Sequence, residues 1–543
     1  MKVIINGSEY EYKPKTTLEE ISKDFPGDYY CATVNNRIRE LSYQLETEGA
    51  NVKFYGLDYY ESVKIYEASL RYVIAMAVSN VFPKENVRFS NSISMGIYGH
   101  IIGKEVTPEM LETLNNEIQK IISADYKFTR KKYDKKTIKA YYKSLGYFDK
   151  LGTLKYRKES VNVYEVNGYK NYMYSYMVPS TGYLKSFKLR LYYPGFILQF
   201  PRSEMKGEIP EFADEPKFLK TLADANEWAK NTGSENIYQV NDKCSDEEEL
   251  IKFIGVCETR HNHQLKEIGD KVQKNLDQIR LIAIAGPSSS GKTTFSKRLE
   301  IELLSRNIHP MRISIDNYYL DENHVPLDEN GNKDFEHIEA LNLKLFNENM
   351  TDFLMGKEVR TPIFDFKTKK VTFSEPQKLR KDGVIIIEGI HALNERLTES
   401  IPKNRKFKIY IAPLAQRNID NHNPISLTDL RLVRRIVRDL NFRNTSAEKT
   451  LEMWQSVRNG EHKWIYPYME SADYIFNSEL GYELLMLKKY GVESLKVIKN
   501  DSQYYILANR LLKFLKVFRS ISDSKVKNDS LLREFIGGSV FKD

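Results

Sequence analysis

Residues 282–299, IAIAGPSSSGKTTFSKRL, limit what this 543-residue chain can fold into more than any other stretch. An apolar run breaks at Gly286, turns through three serines and resumes with a helical period after Gly291. A strand that ends in a Gly- and Ser-rich turn and continues as a helix needs a sheet beside it and helices over its faces. The C-terminal half repeats that alternation. LIAIA, RISI, VIIIE, FKIYIA and DYIFN are short, β-rich and separated by helical periods. The spacing predicts an α/β unit over 280–484, a parallel sheet covered by helices.

A chain this long exceeds one hydrophobic core, so several domains are expected. Residues 1–60 show two strand-like runs around Asn6-Gly7 and a Thr17-x-x-Glu20 capping box, which predicts a small mixed unit. Over 61–202 a long helix leads to a second one opened by Thr107 as N-cap and Pro108 at the first helical position. VNVYEV, NYMYSYMV and FKLRLYY then read as strands, so the front half is expected to be α+β. Residues 203–279 read as a mostly helical connector, with the acidic run at 245–250 as a solvated helix start. The helical extension 485–543 ends in LLREFIGGSVF, too apolar for a free tail.

With 41% hydrophobic and 29% charged residues, the composition is that of a globular protein and excludes a disordered chain. No apolar run reaches bilayer length and the opening residues lack an export pattern, so the expected location is cytoplasmic, with no membrane partner. Cys31, Cys244 and Cys257 are an odd, scattered set that predicts no disulfide framework. The net charge of +8 suits polyanionic ligands such as nucleotides but does not by itself argue for nucleic-acid binding. His261 and His263 have a spacing wrong for one helix face, which predicts a surface role.

Gly286-Pro287-Ser288-Ser289-Ser290-Gly291-Lys292-Thr293, with Thr294 behind it, has P-loop spelling in the required strand-to-helix context. Such a loop wraps main-chain amides round ATP phosphates, while Lys292 reaches the β and γ groups and the Thr293 hydroxyl ligates Mg2+. Asp316 follows the next apolar strand, at the sheet edge where α/β proteins bind ligands. A carboxylate there accepts the proton of an attacking hydroxyl or orients that hydroxyl. Glu388 ends VIIIE, where a second acid holds Mg2+ or its water. Arg431, Arg434, Arg435 and Arg438 fall near one face of a predicted helix, a crowding of charge that predicts a bound anion.

These residues resemble the uridine kinase and phosphoribulokinase group of P-loop kinases over about 280–480. The resemblance implies phosphorylation of a small-molecule nucleoside at its 5'-hydroxyl with ATP and Mg2+, with Asp316 of Asp316-Asn-Tyr-Tyr319 as base. By the same resemblance Glu336 takes the ribose hydroxyls, Tyr319, Phe364 and Phe366 flank the base, Arg431 binds substrate, and Arg434, Arg438 and Arg443 form a lid over the phosphate. Lys369 stands where uridine kinases carry a pyrimidine-binding His, and Phe364 replaces a Tyr. Base selectivity rests on polar partners, so uridine, cytidine, thymidine and a non-nucleoside sugar alcohol stay open as acceptors.

The front half resembles a ubiquitin-like (β-grasp) TGS domain over 1–60 and the editing domain of threonyl-tRNA synthetase over 61–202. Ala68, Tyr72, Met173 and Met177 stand at that domain's catalytic positions, which implies a kept fold and lost hydrolysis. The Lys- and Tyr-rich run 126–147 reads as a solvated basic helix, with a tRNA or RNA contact as the alternative. A second whole-chain reading is an RNA-binding or nucleotide-sensing protein that uses the P-loop as a switch. An oligomer is compatible with either reading.

Overall fold

A computed structural model describes residues 1–157, 159–328, 331–365, 370–415 and 417–541. In the C-terminal half, five strands form one sheet in the order Pro310–Ser314, Val384–Glu388, Leu281–Ala285, Lys406–Ala412, Tyr474–Asn477. Every neighbouring pair is parallel. All five strands expected from sequence are present. Leu281–Ala285 lies in the middle and is buried throughout, as a strand covered on both faces must be.

Alternation along that strand divides the core. Ile282 and Ile284 face Phe295 and Leu299 of the helix Lys292–Leu304 and Leu432 and Val433 of the helix Leu427–Arg443. Leu281, Ala283 and Ala285 point the other way, toward Phe346 and Met350. The 203–279 segment proves to be more than a connector. Phe218 and Leu222 of its helix Pro216–Asn231 pack on the second face, while Leu265, Ile268 and Val272 of Glu247–Lys274 pack on the first. Glu247, Glu248 and Glu249 are a solvated helix start as expected, behind Asp246 as N-cap. The surface role expected for His261 is overturned. It sits on the buried face of that helix, 0% exposed, with Nε2 3.2 Å from the Glu479 carbonyl oxygen.

Residues 2–55 form a five-stranded mixed sheet whose first and last strands, Lys2–Ile5 and Ala50–Tyr55, pair in parallel. The Thr17–Glu20 capping box is made in both directions. The helix Tyr60–Val81 then runs between a four-stranded and a three-stranded antiparallel sheet. Thr107 caps the helix Pro108–Ser123 through the Met110 amide, with Pro108 in its first turn. Two expectations are corrected here. The run 126–147 splits into a strand, Thr129–Asp134, and a helix, Lys135–Ser144. Only Tyr169–Asn171 of the NYMYSYMV region is strand.

A hairpin from the C-terminal half joins the two halves. Asn418 donates from Nδ2 to the Phe89 carbonyl at 2.7 Å, and the Phe89 amide donates to the Asn421 carbonyl at 2.9 Å. Beneath it, Lys150 and Asp420 form a buried ion pair at 2.9 Å. Asp420 Oδ1 also accepts from the His422 amide and from Asn423 Nδ2, which compensates part of the cost of taking both charges out of water. Among the described residues, no helix is long and apolar enough to cross a membrane.

Candidate active site

The loop between Leu281–Ala285 and Lys292–Leu304 is shaped by two glycines. A Cβ on Gly286 would stand 2.1 Å from the Ile411 carbonyl oxygen, so only glycine lets the chain leave the sheet here. Gly291 has φ +93°, a conformation that side-chain-bearing residues rarely adopt, directly before the helix. Lys292 folds back over the loop and donates from Nζ to the carbonyls of Gly286 (3.0 Å) and Pro287 (3.3 Å). The hydroxyl oxygens of Ser289 and Ser290 are buried with no hydrogen-bond partner among the described residues. Helix-start amides, two hydroxyls without a partner among the described residues and an ammonium group together make an anion cradle.

Two acids meet it at the carboxyl edge of the sheet. Glu388 is in register with Ile284 on one side and Ser314 on the other, and Asp316 follows in the turn Ile315–Tyr318. Asp316 keeps solvent contact although other groups crowd round it. That crowding raises its pKa against the pull of Lys292, Arg443 and Arg438. Burial first, then the charge of Asp316, push Glu388 up to about 7 despite Lys292. The same burial lowers the pKa of Lys292 in spite of both acids. Two carboxyls that hinder each other's ionisation in one cleft are a setting a divalent cation relieves. Among the described residues no group of three metal-ligating side chains occurs.

The expected acceptor residues stand across this cleft. Glu336 packs against the helix Ala447–Trp464 at Gly460, where a Cβ would come within 2.6 Å of the Glu336 Cβ. Burial outweighs Arg435 and raises its pKa to about 7, with Glu461 and Asp316 adding repulsion. The Tyr319 ring lies 6.0 Å from that of Phe364 and 6.4 Å from that of Phe335, an aromatic the sequence reading missed. Phe366 and Lys369 fall outside the described residues.

The arginine helix is the main correction. The clustered guanidinium groups predict a bound anion, yet most already pair with a carboxylate of the protein. Arg431 is gripped through both terminal nitrogens by Glu461, with Arg458 on the same carboxylate at 2.6 Å. Its charge is therefore already paired within the protein. Arg434 is 0% exposed, donates from Nε to Glu483 at 2.5 Å, and reaches the Ser289 and Ser290 carbonyls at 3.3 and 3.5 Å. Arg435 donates to Ser288 Oγ at 2.7 Å. These three brace the loop. Arg438 bonds Asp439 at 2.8 Å, and Arg443, 3.8 Å from the same acid, is exposed. Their charges act on Asp316, so this end of the helix does border the cleft. An Arg435-x-x-x-Asp439 pair is legible in sequence. Glu461 and Glu483 are not, since each lies far along the chain.

A central buried strand, a Gly-rich loop, a helix starting at Lys292 and a carboxylate ending the next parallel strand define a P-loop α/β domain. The chain belongs to the phosphoribulokinase / uridine kinase family, which matches residues 281–480. The uridine kinase of Ligilactobacillus salivarius is 28% identical over 213 residues, 38% of this chain and 91% of that protein. The uridine kinase of Bacillus subtilis is 30% identical over 196 residues, 36% of this chain and 84% of that protein. That of Brevibacillus brevis is 28% identical over 227 residues, 41% and 96% respectively. The C-terminal half is thus a phosphotransferase domain of that family.

Proposed function

We propose that this protein transfers the γ-phosphoryl group of ATP to the 5'-hydroxyl of a nucleoside, with pyrimidine nucleosides the favoured class. The reading is supported by the meeting of Asp316, Glu388 and Lys292 at the phosphate loop, with Glu336 close enough to feel Asp316 and Lys292. A nucleotide switch needs the loop and one acid but has no use for a half-buried carboxylate on the acceptor side.

In this reading the main-chain amides of the 286–294 loop that remain available and the Lys292 ammonium hold the phosphates. The Thr293 hydroxyl and Glu388 would hold Mg2+, which supplies positive charge for the phosphate oxygens when bound. Asp316 takes the proton of the attacking hydroxyl, and its raised pKa brings it nearer the range in which a general base works. Glu336 accepts from the ribose hydroxyls, and Tyr319 and Phe364 line the base. Arg438 and Arg443 offset charge on the transferring group. The pyrimidine preference comes from the relatives' names, while Lys369 and Phe364 leave the choice among uridine, cytidine and thymidine to experiment.

We read residues 1–60 as a TGS-like unit and 61–202 as an editing-like unit without hydrolysis. Ala68, Tyr72, Met173 and Met177 are all buried, and the Tyr72 hydroxyl is spent on the Tyr164 and Tyr169 carbonyls. Asp316→Asn tests the kinase reading. It keeps ATP binding and lowers turnover by about 10²–10⁴-fold, the range a positioned base contributes. Turnover within threefold of wild type removes Asp316 from its role.

A further inference from the structure

The phosphate cradle already receives a carboxylate from the far end of the chain. The segment 530–538 lies over the loop and the arginine helix. Leu531, Leu532 and Phe535 are 0% exposed, and Ser530 donates to the buried Glu258 at 2.5 Å. Leu531 covers the loop itself, since a Cβ on Gly291 would meet Leu531 Cδ2 at 2.6 Å. The Phe535 ring faces the Arg434 guanidinium at 5.0 Å, and Asn441 of the arginine helix donates to the Phe535 carbonyl at 2.9 Å. Gly537 and Gly538, with φ +87° and +73°, turn the chain away directly afterwards.

Between these apolar anchors Glu534 points into the loop. Its Oε2 accepts from the main-chain amide of Thr294 at 3.0 Å. Thr294 is in the first turn of the helix Lys292–Leu304, where main-chain amides have no partner within the helix and take up anions. The carboxylate also acts on Lys292 and Glu388. It therefore stands in the same small space as the ammonium group and the second acid.

We propose that Glu534 is an internal competitor for nucleotide phosphate: the C-terminal segment holds a carboxylate on the Thr294 amide, and a nucleotide must displace it to bind. The proposal rests on reading this loop as the nucleotide site. The physical case is direct. One amide cannot serve a carboxylate and a phosphate at once, and two anions beside Glu388 repel each other. The segment's apolar anchors keep it docked, so release requires only that the Glu534 side chain swing out. A cost is thereby added to every nucleotide bound through its phosphates, whatever its base.

The test is equilibrium binding of ATP with Mg2+ to the full-length chain by titration calorimetry, for wild type, Glu534→Gln, Glu534→Ala and Asp529→Asn. Asp529 is an exposed acid of the same segment, and its variant removes the same charge without touching the loop. Both Glu534 variants bind ATP about tenfold more tightly, the difference expected for losing one competing charge-assisted hydrogen bond, and Asp529→Asn matches wild type. Inorganic triphosphate gains by the same factor. Equal affinity across all four proteins overturns the proposal, and so does weaker binding by the Glu534 variants, which would make Glu534 a ligand of the nucleotide or its metal. If no variant and no wild type binds ATP, the reading of the loop itself fails, an outcome distinct from the other two.

Discussion

Glu461→Gln isolates the difference between an arginine helix that waits for substrate and one that is already paired. Glu461 is 2% exposed and holds Arg431 through both terminal nitrogens, Arg458 at 2.6 Å, the Tyr466 hydroxyl at 3.1 Å and the Ser288 amide at 3.2 Å. Burial pushes its pKa up, but the two guanidinium groups outweigh that and hold it at about 2 against an ordinary 4.5. A carboxylate so depressed contributes about 3 kcal/mol at neutral pH. The same size follows independently from the cost of unpairing a buried ion pair, about 3–5 kcal/mol. Taking 3 kcal/mol and a cooperative unit of about 200 residues, the unfolding midpoint falls by about 6–12 °C. Differential scanning calorimetry of the full chain reads this directly. Glu452→Gln, an exposed acid on the same helix, provides the comparison and moves the midpoint by less than about 2 °C. If the two variants melt together, Arg431 and Arg458 do not depend on Glu461, and Arg431 returns as a candidate for substrate.

The remaining predictions concern protons and metal. Glu461 has a folded pKa below its unfolded one, so its stabilisation is full above about pH 4.5 and is lost as pH falls toward 2. Glu336 and Glu388 are raised to about 7 and work in the opposite sense. Their contribution is full below about pH 4.5 and is lost as pH rises through 7, so urea midpoints of the nucleotide-free protein decline between pH 5 and 7.5. A flat profile in that interval would contradict the crowding of acids in the cleft. Glu388→Gln leaves the fold intact and raises the Mg2+ concentration needed for half-maximal turnover about tenfold or more. An unchanged Mg2+ requirement separates Glu388 from the metal.

Much of the sheet is legible in sequence because buried parallel strands leave a strong mark. VIIIE and LIAIA have no polar residue until the position that carries function or turns the chain. Caps are equally local, and Thr17, Glu20, Thr107 and Pro108 do what their spacing predicts. Failures occur where the deciding partner is remote. Arg431 meets Glu461 thirty residues on, and Arg434 meets Glu483 forty-nine residues on, so the helix alone reads as unpaired positive charge. His261 is buried because its helix lies on the kinase sheet, which no local pattern reports. The tyrosines of NYMYSYMV fit a strand by composition, yet the amides of Tyr172 and Tyr174 are taken by the Tyr142 hydroxyl and by Asn423 instead of by a neighbouring strand. Of the candidate site, the loop and the two acids beside it are visible in the local spelling of the chain. Its bracing and the reach of Glu534 into the cradle emerge only from packing.

If the proposed function holds, Asp316, Lys292 and Glu336 serve phosphoryl transfer to a nucleoside. The most direct measurement supplies radiolabelled γ-phosphate ATP, Mg2+ and a panel of uridine, cytidine, thymidine, adenosine and ribose, with products separated by chromatography. The account predicts label in a nucleoside 5'-monophosphate, strongest with a pyrimidine nucleoside and lost in Asp316→Asn. Label in free ribose and in no nucleoside, or equal labelling by wild type and Asp316→Asn, would contradict it.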